Sequence, residues 1–380
     1  MLAKSSGKLL GFSALALVAL GLVMISSTAL WIEDPDQPYR HLSQQSIFAG
    51  LGLVAATLLA LLDYRWLREW APWIFAGACV ALALCYVPGI GVEANGETRW
   101  IKIGGVQIQP SEPAKIALMI GLAAWFARHR ASIDTFWRGF VLPAGGAGFL
   151  LALILFEKDM GTTAALGLAT FCLLFVAGTR FIYLAVSGGI AGFAGYLMVQ
   201  QSGNRMERIE AWKNLAEHKL GAGLQQFRGL MALQNGGTEG VGLGNGAEKF
   251  GYLPFSHTDF IYPIIGEELG LYATLGVILA FVIITVGGVA VSLHANDLFG
   301  KLLGFGLTAS IVAPAMVNIA VTTAAIPNTG LPLPFVSYGG SSLVFTLAAI
   351  GILISIHRRG KFDAPDGSLL RNRSKEPIRL

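Results

Sequence analysis

The sequence predicts an all-α polytopic membrane protein, with about ten transmembrane helices and one large outer loop between the seventh and the eighth. Three observations carry this expectation. Of 380 residues, 54% are hydrophobic and 13% are charged, about half the charged share of a soluble domain. The apolar residues fall in blocks of about 18 to 25, the length that crosses a bilayer. A single long polar stretch, 201–260, interrupts them. Soluble-domain readings are thereby excluded. The net charge of +4 sits mostly in loops, where its placement reports orientation and not nucleic-acid binding.

Hydropathy places the spans at Leu9–Trp31, Gln45–Leu62, Trp70–Val87, Pro110–Phe126, Gly139–Phe156, Met160–Val176, Ile182–Val199, Ile261–Val291, Leu302–Ile326 and Gly339–Ile356. The first run is too long for a signal h-region, so Ser27-x-Ala29 is read as part of an uncleaved span. One set of connections carries Lys4/Lys8, Arg65/Arg68, Arg128/Arg130/Arg138, Arg180, Lys301 and the stretch from Arg358 to Arg379. The short loops on the other side carry only Arg40, Arg99/Lys102 and Lys158. The positive-inside rule then puts both termini in the cytoplasm and 201–260 outside. Residues 1–360 form one transmembrane domain, and 361–380 read as a basic, disordered cytoplasmic tail. Cys79, Cys85 and Cys172 lie inside apolar runs, odd in number and without a C-x-x-C pattern, and read as small buried hydrophobes. No internal repeat and no inverted pair of broken helices is visible.

The outer loops hold the unusual chemistry. Gly96-Glu-Thr-Arg99-Trp100-Ile-Lys102-Ile-Gly-Gly105 reads as a small turn or ribbon at the interface. Arg99 is either an interfacial anchor with Trp100 or a cation facing an anionic lipid headgroup, and both readings stand. In Gln109-Pro-Ser-Glu-Pro-Ala-Lys115, Ser111 reads as an N-cap. Glu112 and Lys115 share a helix face, as an ion pair or with Lys115 turned inward onto a phosphate. An intramembrane lysine defaults to function, which favours the phosphate. Glu157-Lys158-Asp159 needs only outer water, and Asp159 is a candidate cap for the next helix. Met206, Ile209 and Trp212, then Leu224, Phe227 and Leu230, recur at helical spacing beside Arg205, Arg208, Lys213 and Arg228. Two interfacial helices follow, a candidate floor for a lipid-linked pyrophosphate.

Gly236 to Gly244 carries five glycines. It lacks the βαβ context of a dinucleotide fingerprint and the Lys of a P-loop, and reads as a flexible collar around a cavity. His257 and Asp259 follow. A helix through Asp259 would press the ring of Pro263 against its carbonyl, so regular helix is expected only after Asp259. Its bland role is capping with Thr258. Glu267 and Glu268 read equally as a structural pair or as site residues. The last outer loop, 327–342, is broken by Pro and Gly, with Ser341 or Ser342 as cap candidates and Ser337 beside them. Non-helical backbone at this depth must be buried or line a wet cavity, so it is taken as the opposite wall of the site.

Arg99-Trp100, Gln109-Pro-Ser-Glu112-x-Ala-Lys115, Asp159-x-Gly-Thr162, Gly240-x-Gly-x-Gly244-Asn245, Leu253-Pro254, His257-Thr-Asp-Phe260, Gly266-Glu-Glu-Leu-Gly270 and Ser337-Tyr-Gly-Gly-Ser-Ser342 stand in one order along nearly the whole chain. Together they resemble the SEDS family of FtsW, RodA and SpoVE. The resemblance implies a ten-span fold with a large periplasmic loop. It implies a peptidoglycan glycosyltransferase that polymerises lipid II beside a class B penicillin-binding transpeptidase and other division membrane proteins. It puts the family's essential aspartate on Asp259 and its motif lysine on Lys115. Phe255, Pro113, Glu157-Lys158 and Tyr262-Pro263 depart from the family pattern. Phe255 stands where an acidic residue is usual, so no metal site is assigned in this loop. No cofactor is required, and a divalent cation is left open. The Gly266-Glu-Glu block favours the division paralogue at the septum over an elongation polymerase of the RodA kind.

The expected chemistry makes Asp259 the general base and Lys115 the cation on the departing pyrophosphate. Arg99 or Arg205 stands behind Lys115, and the configuration at the sugar inverts. Ser111, Glu112, His257, Glu267, Glu268, Ser337 and Ser341 complete the expected site. A lipid II transporter and a non-catalytic scaffold are the competing readings. The transporter is disfavoured because the unusual residues gather on the outer side and not at the midplane.

Overall fold

The computed structural model describes residues 2–32, 39–94, 97–103 and 106–360. The expected tail, 361–380, and Gly96, Gly104 and Gly105 of the ribbon lie outside the described residues. Twelve α-helices dominate the fold: α1 Leu2–Ile32, α2 Arg40–Leu61, α3 Trp66–Leu84, α4 Ser111–Arg128, α5 Leu142–Phe156, α6 Met160–Ala177, α7 Phe181–Gln200, α8 Gly203–Lys213, α9 Leu224–Gly236, α10 Ile261–His294, α11 Leu298–Thr322 and α12 Gly340–Arg358. Among the described residues, nine are long and apolar enough to cross a membrane. The tenth expected span, α4, is 18 residues long and carries Glu112, Lys115 and Arg128. This is a multi-pass membrane protein.

Chain direction sorts the connections onto two ends of the bundle. One end, here the loop end, carries the sheet, α8, α9 and the segments before α10 and α12. The other carries the N-terminal start of α1 and the C-terminal end of α12. At the centre α12 packs along α2, α10 along α1 and α11, and α11 against α6 and α4. α7 lies at the rim, with Phe181, Ile182, Ile190 and Phe193 exposed.

The eighth span starts at Ile261, as expected, but bends where its hydropathy implies a straight helix. Tyr262 Oη reaches Thr274 O at 3.5 Å, although twelve residues of straight helix would separate them by about 18 Å. The chain folds back at Gly270, where φ is 77° and ψ is −172°. Only glycine adopts that backbone freely. Residues 261–269 therefore form a short helix of their own across the loop end, from Asn318 near the end of α11 to Ser27 near the end of α1. Glu267 and Glu268 are not two turns deeper in the membrane, as a straight helix would make them. They sit at the far end of this crossing helix.

Their carboxylates hold the glycine stretch. Glu267 accepts from the amides of Ala247 (2.9 Å) and Glu248 (3.3 Å). Glu268 accepts from Ser27 Oγ (2.8 Å), Gly244 N (3.0 Å) and Lys249 Nζ (2.6 Å). The amides of Val241 and Gly242 in turn cap the carbonyls of Glu267 and Glu268, satisfying a helix end that would otherwise be orphaned. The glycine stretch is thus a hydrogen-bonded cap on 261–269, where a flexible collar was expected. Lys249 is 1% exposed and Glu268 fully buried, so each needs the other.

Other elements match their local chemistry. Asp159 caps α6 by accepting from Thr162 N at 2.9 Å. Asp297 caps α11 through Gly300 N at 2.8 Å, which starts that helix four residues before the expected Leu302. The ribbon is a three-stranded antiparallel sheet: β1 Gly91–Ala94, β2 Glu97–Ile103 and β3 Val106–Ile108. It pairs Val92 with Trp100 and Lys102 with Gln107. Trp212 of α8 donates to Ala324 O at 2.8 Å. Gln226 of α9 donates to Val321 O and Ile326 O, so both loop helices are tied to the end of α11. Three expected roles differ. Ser111 is already the first residue of α4, its hydroxyl buried and unbonded. Ser341 and Ser342 do not cap α12, whose N-cap is Gly339.

The Lys249–Glu268 pair sets a stability test. Lys249→Met alone leaves a buried carboxylate uncompensated and is expected to cost about 3–5 kcal/mol. Adding Glu268→Gln to it should recover part of that loss. Thermal unfolding of Lys249→Met, Glu268→Gln and the double variant in one detergent checks this; additive losses would contradict it.

Candidate active site

Four elements meet at the loop end around a cavity of about 270 Å³. The N-terminal turn of α4 supplies Glu112 and Lys115, and β2 supplies Arg99 and Trp100. The start of α6 supplies Asp159 and Thr162, and the segment before α10 supplies Thr258 and Asp259. Gly330, Leu331, Pro332, Pro334 and Tyr338 of the 323–339 loop close it. That loop is the opposite wall expected of it.

Asp259 is held by its backbone. Asn318 Nδ2 donates to Asp259 O at 2.7 Å and to Leu331 O at 2.6 Å, joining the two walls. Ser337 Oγ donates to Thr258 O at 2.7 Å while accepting from Leu333 N. The Asp259 side chain caps nothing, since the N-cap of α10 is Phe260 with no side-chain bond. Burial, reinforced by the negative charge of Asp159, raises the Asp259 carboxyl to about 6, against the opposing pull of Arg99 and Arg208.

The cations stand across from it. Lys115 Nζ pairs with Glu112 Oε2 at 2.8 Å, as one of its two expected roles requires, and it also lines the cavity. Arg99 donates to Glu157 O (3.3 Å) and Lys158 O (3.0 Å) and stands 3.9 Å from Asp159 Oδ2. It clamps the turn between α5 and α6 and still lines the cavity. That turn is not simply solvated. Glu157 is 1% exposed and its carboxyl is raised to about 8, chiefly by burial. At neutral pH it is mostly protonated.

A second cavity, about 890 Å³, adjoins the first and shares Trp100, Phe255, Thr258, Tyr338 and Gly339 with it. Arg40, His41, Lys102 and His257 line it, and Ile47 and Phe48 of α2 form its apolar side. His257 faces this space, its ring 5.3 Å from His41 and 5.9 Å from Tyr338. Ser341 lines it too, accepting from Gln109 N at 3.3 Å. The expected site residues therefore divide. Asp259, Lys115, Glu112 and Arg99 come together, and His257 and Ser341 belong to the adjoining space. Ser337 braces the wall, and Ser111, Glu267 and Glu268 do not line either cavity. Arg205 does not line them either; Arg208, one turn on, is the loop arginine whose charge reaches Asp259.

A family model described as "Cell cycle protein", for FtsW, RodA and SpoVE, matches residues 8–361. The chain belongs to the FtsW/RodA/SpoVE family. It is 36% identical over 359 residues to stage V sporulation protein E of Bacillus subtilis (strain 168), covering 93% of this chain and 97% of that one. It is 38% identical over 350 residues to the probable peptidoglycan glycosyltransferase FtsW of Geobacter metallireducens, covering 92% and 93%. Among solved structures it is similar to a chain of a peptidoglycan synthase complex studied for how polymerization and crosslinking are coordinated. The TM-score there is 0.77, with 29% identity over 93% of this chain and 98% of that one. The rod shape determining protein RodA of Thermus thermophilus gives a TM-score of 0.69, with 29% identity over 93% and 97%.

In this member of the family, several residues that build the site escaped sequence reasoning. Asn318 was the findable one, being a lone amide in an apolar run that needs backbone partners once buried.

The raised Asp259 carboxyl has a signed consequence. Its folded value, about 6, exceeds the ordinary value near 3.8, so the fold disfavours the ionised form. The contribution is fully present below about pH 4 and is lost as pH rises through about 6. Asp259→Asn is therefore expected to stabilise the protein at pH 7.5 by up to about 3 kcal/mol. The gain should vanish near pH 4, as read from unfolding temperatures across that range.

Proposed function

We propose that the protein is a peptidoglycan glycosyltransferase of the cytoplasmic membrane. In this reading it polymerises lipid II into glycan strands at the outer face, with both termini in the cytoplasm. The observation that carries this reading is one cavity holding a carboxyl raised toward neutrality, Asp259, opposite two cations, Lys115 and Arg99. A sugar hydroxyl is a poor nucleophile. A positioned carboxylate takes its proton as the glycosidic bond forms. The donor's bond to pyrophosphate breaks in the same step, and Lys115 and Arg99 offset the growing charge on that leaving group. A single displacement inverts the anomeric carbon. Polymerisation needs two lipid-linked sugars at once, and two adjoining spaces with a shared wall suit that requirement.

The named relatives support the reading: one is a probable peptidoglycan glycosyltransferase, and one structural neighbour belongs to a peptidoglycan synthase complex. A class B penicillin-binding transpeptidase is the proposed partner, with other division membrane proteins around it. A septal role is proposed over rod elongation on the Gly266-Glu-Glu block.

Asp259→Asn, purified and given lipid II with and without the transpeptidase, should polymerise at least about 100-fold more slowly. Lys115→Ala should lose about 10- to 1,000-fold. Wild-type kcat/KM should fall about tenfold per pH unit below about 6, where Asp259 protonates. Glycan strands at wild-type rate from Asp259→Asn remove the assignment. Movement of fluorescent lipid II across the bilayer without polymer would support the transporter instead.

A further inference from the structure

At the end of the bundle opposite the candidate site, α3, α4 and α5 leave an apolar groove of about 350 Å³. Its floor is α4, from Leu118 to Arg128. Pro72 and Phe75 form one wall, and Leu142 and Gly146 form the other. The groove opens at the rim of the bundle, since Pro72 and Leu142 are exposed. Ten residues of α4 rise about 15 Å, the depth of one leaflet in a hydrocarbon core of about 30 Å. Trp66, Trp70 and Trp137 are exposed toward the same end, as expected at a headgroup level.

The mouth of the groove is cationic. Arg128 lines it and donates one guanidinium N–H to Arg68 O at 3.1 Å. Trp125 Nε1 donates to the backbone carbonyl of Arg138 at 2.9 Å. Arg128, the arginine that lines the groove, forms no ion pair among the described residues, so its charge is available to a ligand. Trp125 and His129 stack at 4.2 Å and firm the edge. A one-leaflet apolar slot ending in the Arg128 guanidinium matches one amphiphile: an acyl chain below, a phosphate above.

The geometry points to this groove as a binding site for an anionic glycerophospholipid. One acyl chain lies against Gly121 and Gly146, and the headgroup phosphate sits on Arg128. The site is separate from the Asp259 cavity and stands whether or not the glycosyltransferase reading does.

Gly146 gives a clean probe, because a Cβ placed there meets no atom of another residue within 4 Å. Gly146→Leu fills the slot, and leucine is the better helix former, so α5 is kept. The full chain, delipidated in mild detergent, is titrated with phosphatidylglycerol or phosphatidylcholine and read by native mass spectrometry. Wild type is expected to retain one phosphatidylglycerol with about fivefold preference over phosphatidylcholine, the attraction of one juxtamembrane cation. Arg128→Gln should level the two lipids, and Gly146→Leu should lose the bound lipid of either kind. Equal retention of the two lipids by wild type overturns the proposal, as does unchanged lipid count in Gly146→Leu. A dimer that Gly146→Leu dissolves overturns it too, by making a second copy the occupant.

Discussion

Non-helical backbone near a bilayer must find its hydrogen bonds inside the protein, and Glu267 and Glu268 supply them here. These two carboxylates gather the amides of Gly244, Ala247 and Glu248 and the ammonium of Lys249 onto one helix end. The glycine stretch returns the favour through Val241 N and Gly242 N. With that end pinned beside Ser27, residues 261–269 must cross the bundle, and their other end delivers Asp259 to the gap between α4, α6 and α11. The acid pair thus acts on the site from a distance, by fixing the direction of a short helix. No carboxylate of the pair needs to touch a substrate for the arrangement to depend on it.

The spans, the loop helices and the late start of α10 were legible because each rests on a local rule: run length, 3.6-residue spacing, or the ring of Pro263. The joint presence of Glu112, Lys115, Arg99 and Asp259 was legible as a set of loop-end charges, although nothing local says that four separate elements converge. Three matters were not readable. The fold-back at Gly270 depends on Gly240 approaching its backbone closely, a long-range contact with no signature beyond two glycines. The partner of Glu268 is Lys249, a polar-loop lysine with no local sign of burial. Three charges in a row at 157–159 read as a solvated turn, and the burial of Glu157 and the clamp of Arg99 on the carbonyls of 157 and 158 fold it inward. Arg205 and Arg208 differ by one helical turn, and a helical wheel alone does not choose between them.

How Asp259 is held decides what it can do. The Glu267 and Glu268 carboxylates are occupied by hydrogen bonds from the glycine stretch and Lys249, which suits them to structure. Asp259 is fixed instead through its own carbonyl by Asn318 and through the preceding carbonyl by Ser337. Its position is set while its carboxyl oxygens stay uncommitted to capping. Burial and the charge of Asp159 then push it toward neutrality, and Arg99 and Arg208 limit the rise. The result is an acid near 6, ionised at physiological pH yet basic enough to take a proton from a hydroxyl in a transition state. An aspartate capping α10 would occupy almost the same place in the chain and be useless for that task. The distinction lies in which atoms of one residue the fold chooses to bind.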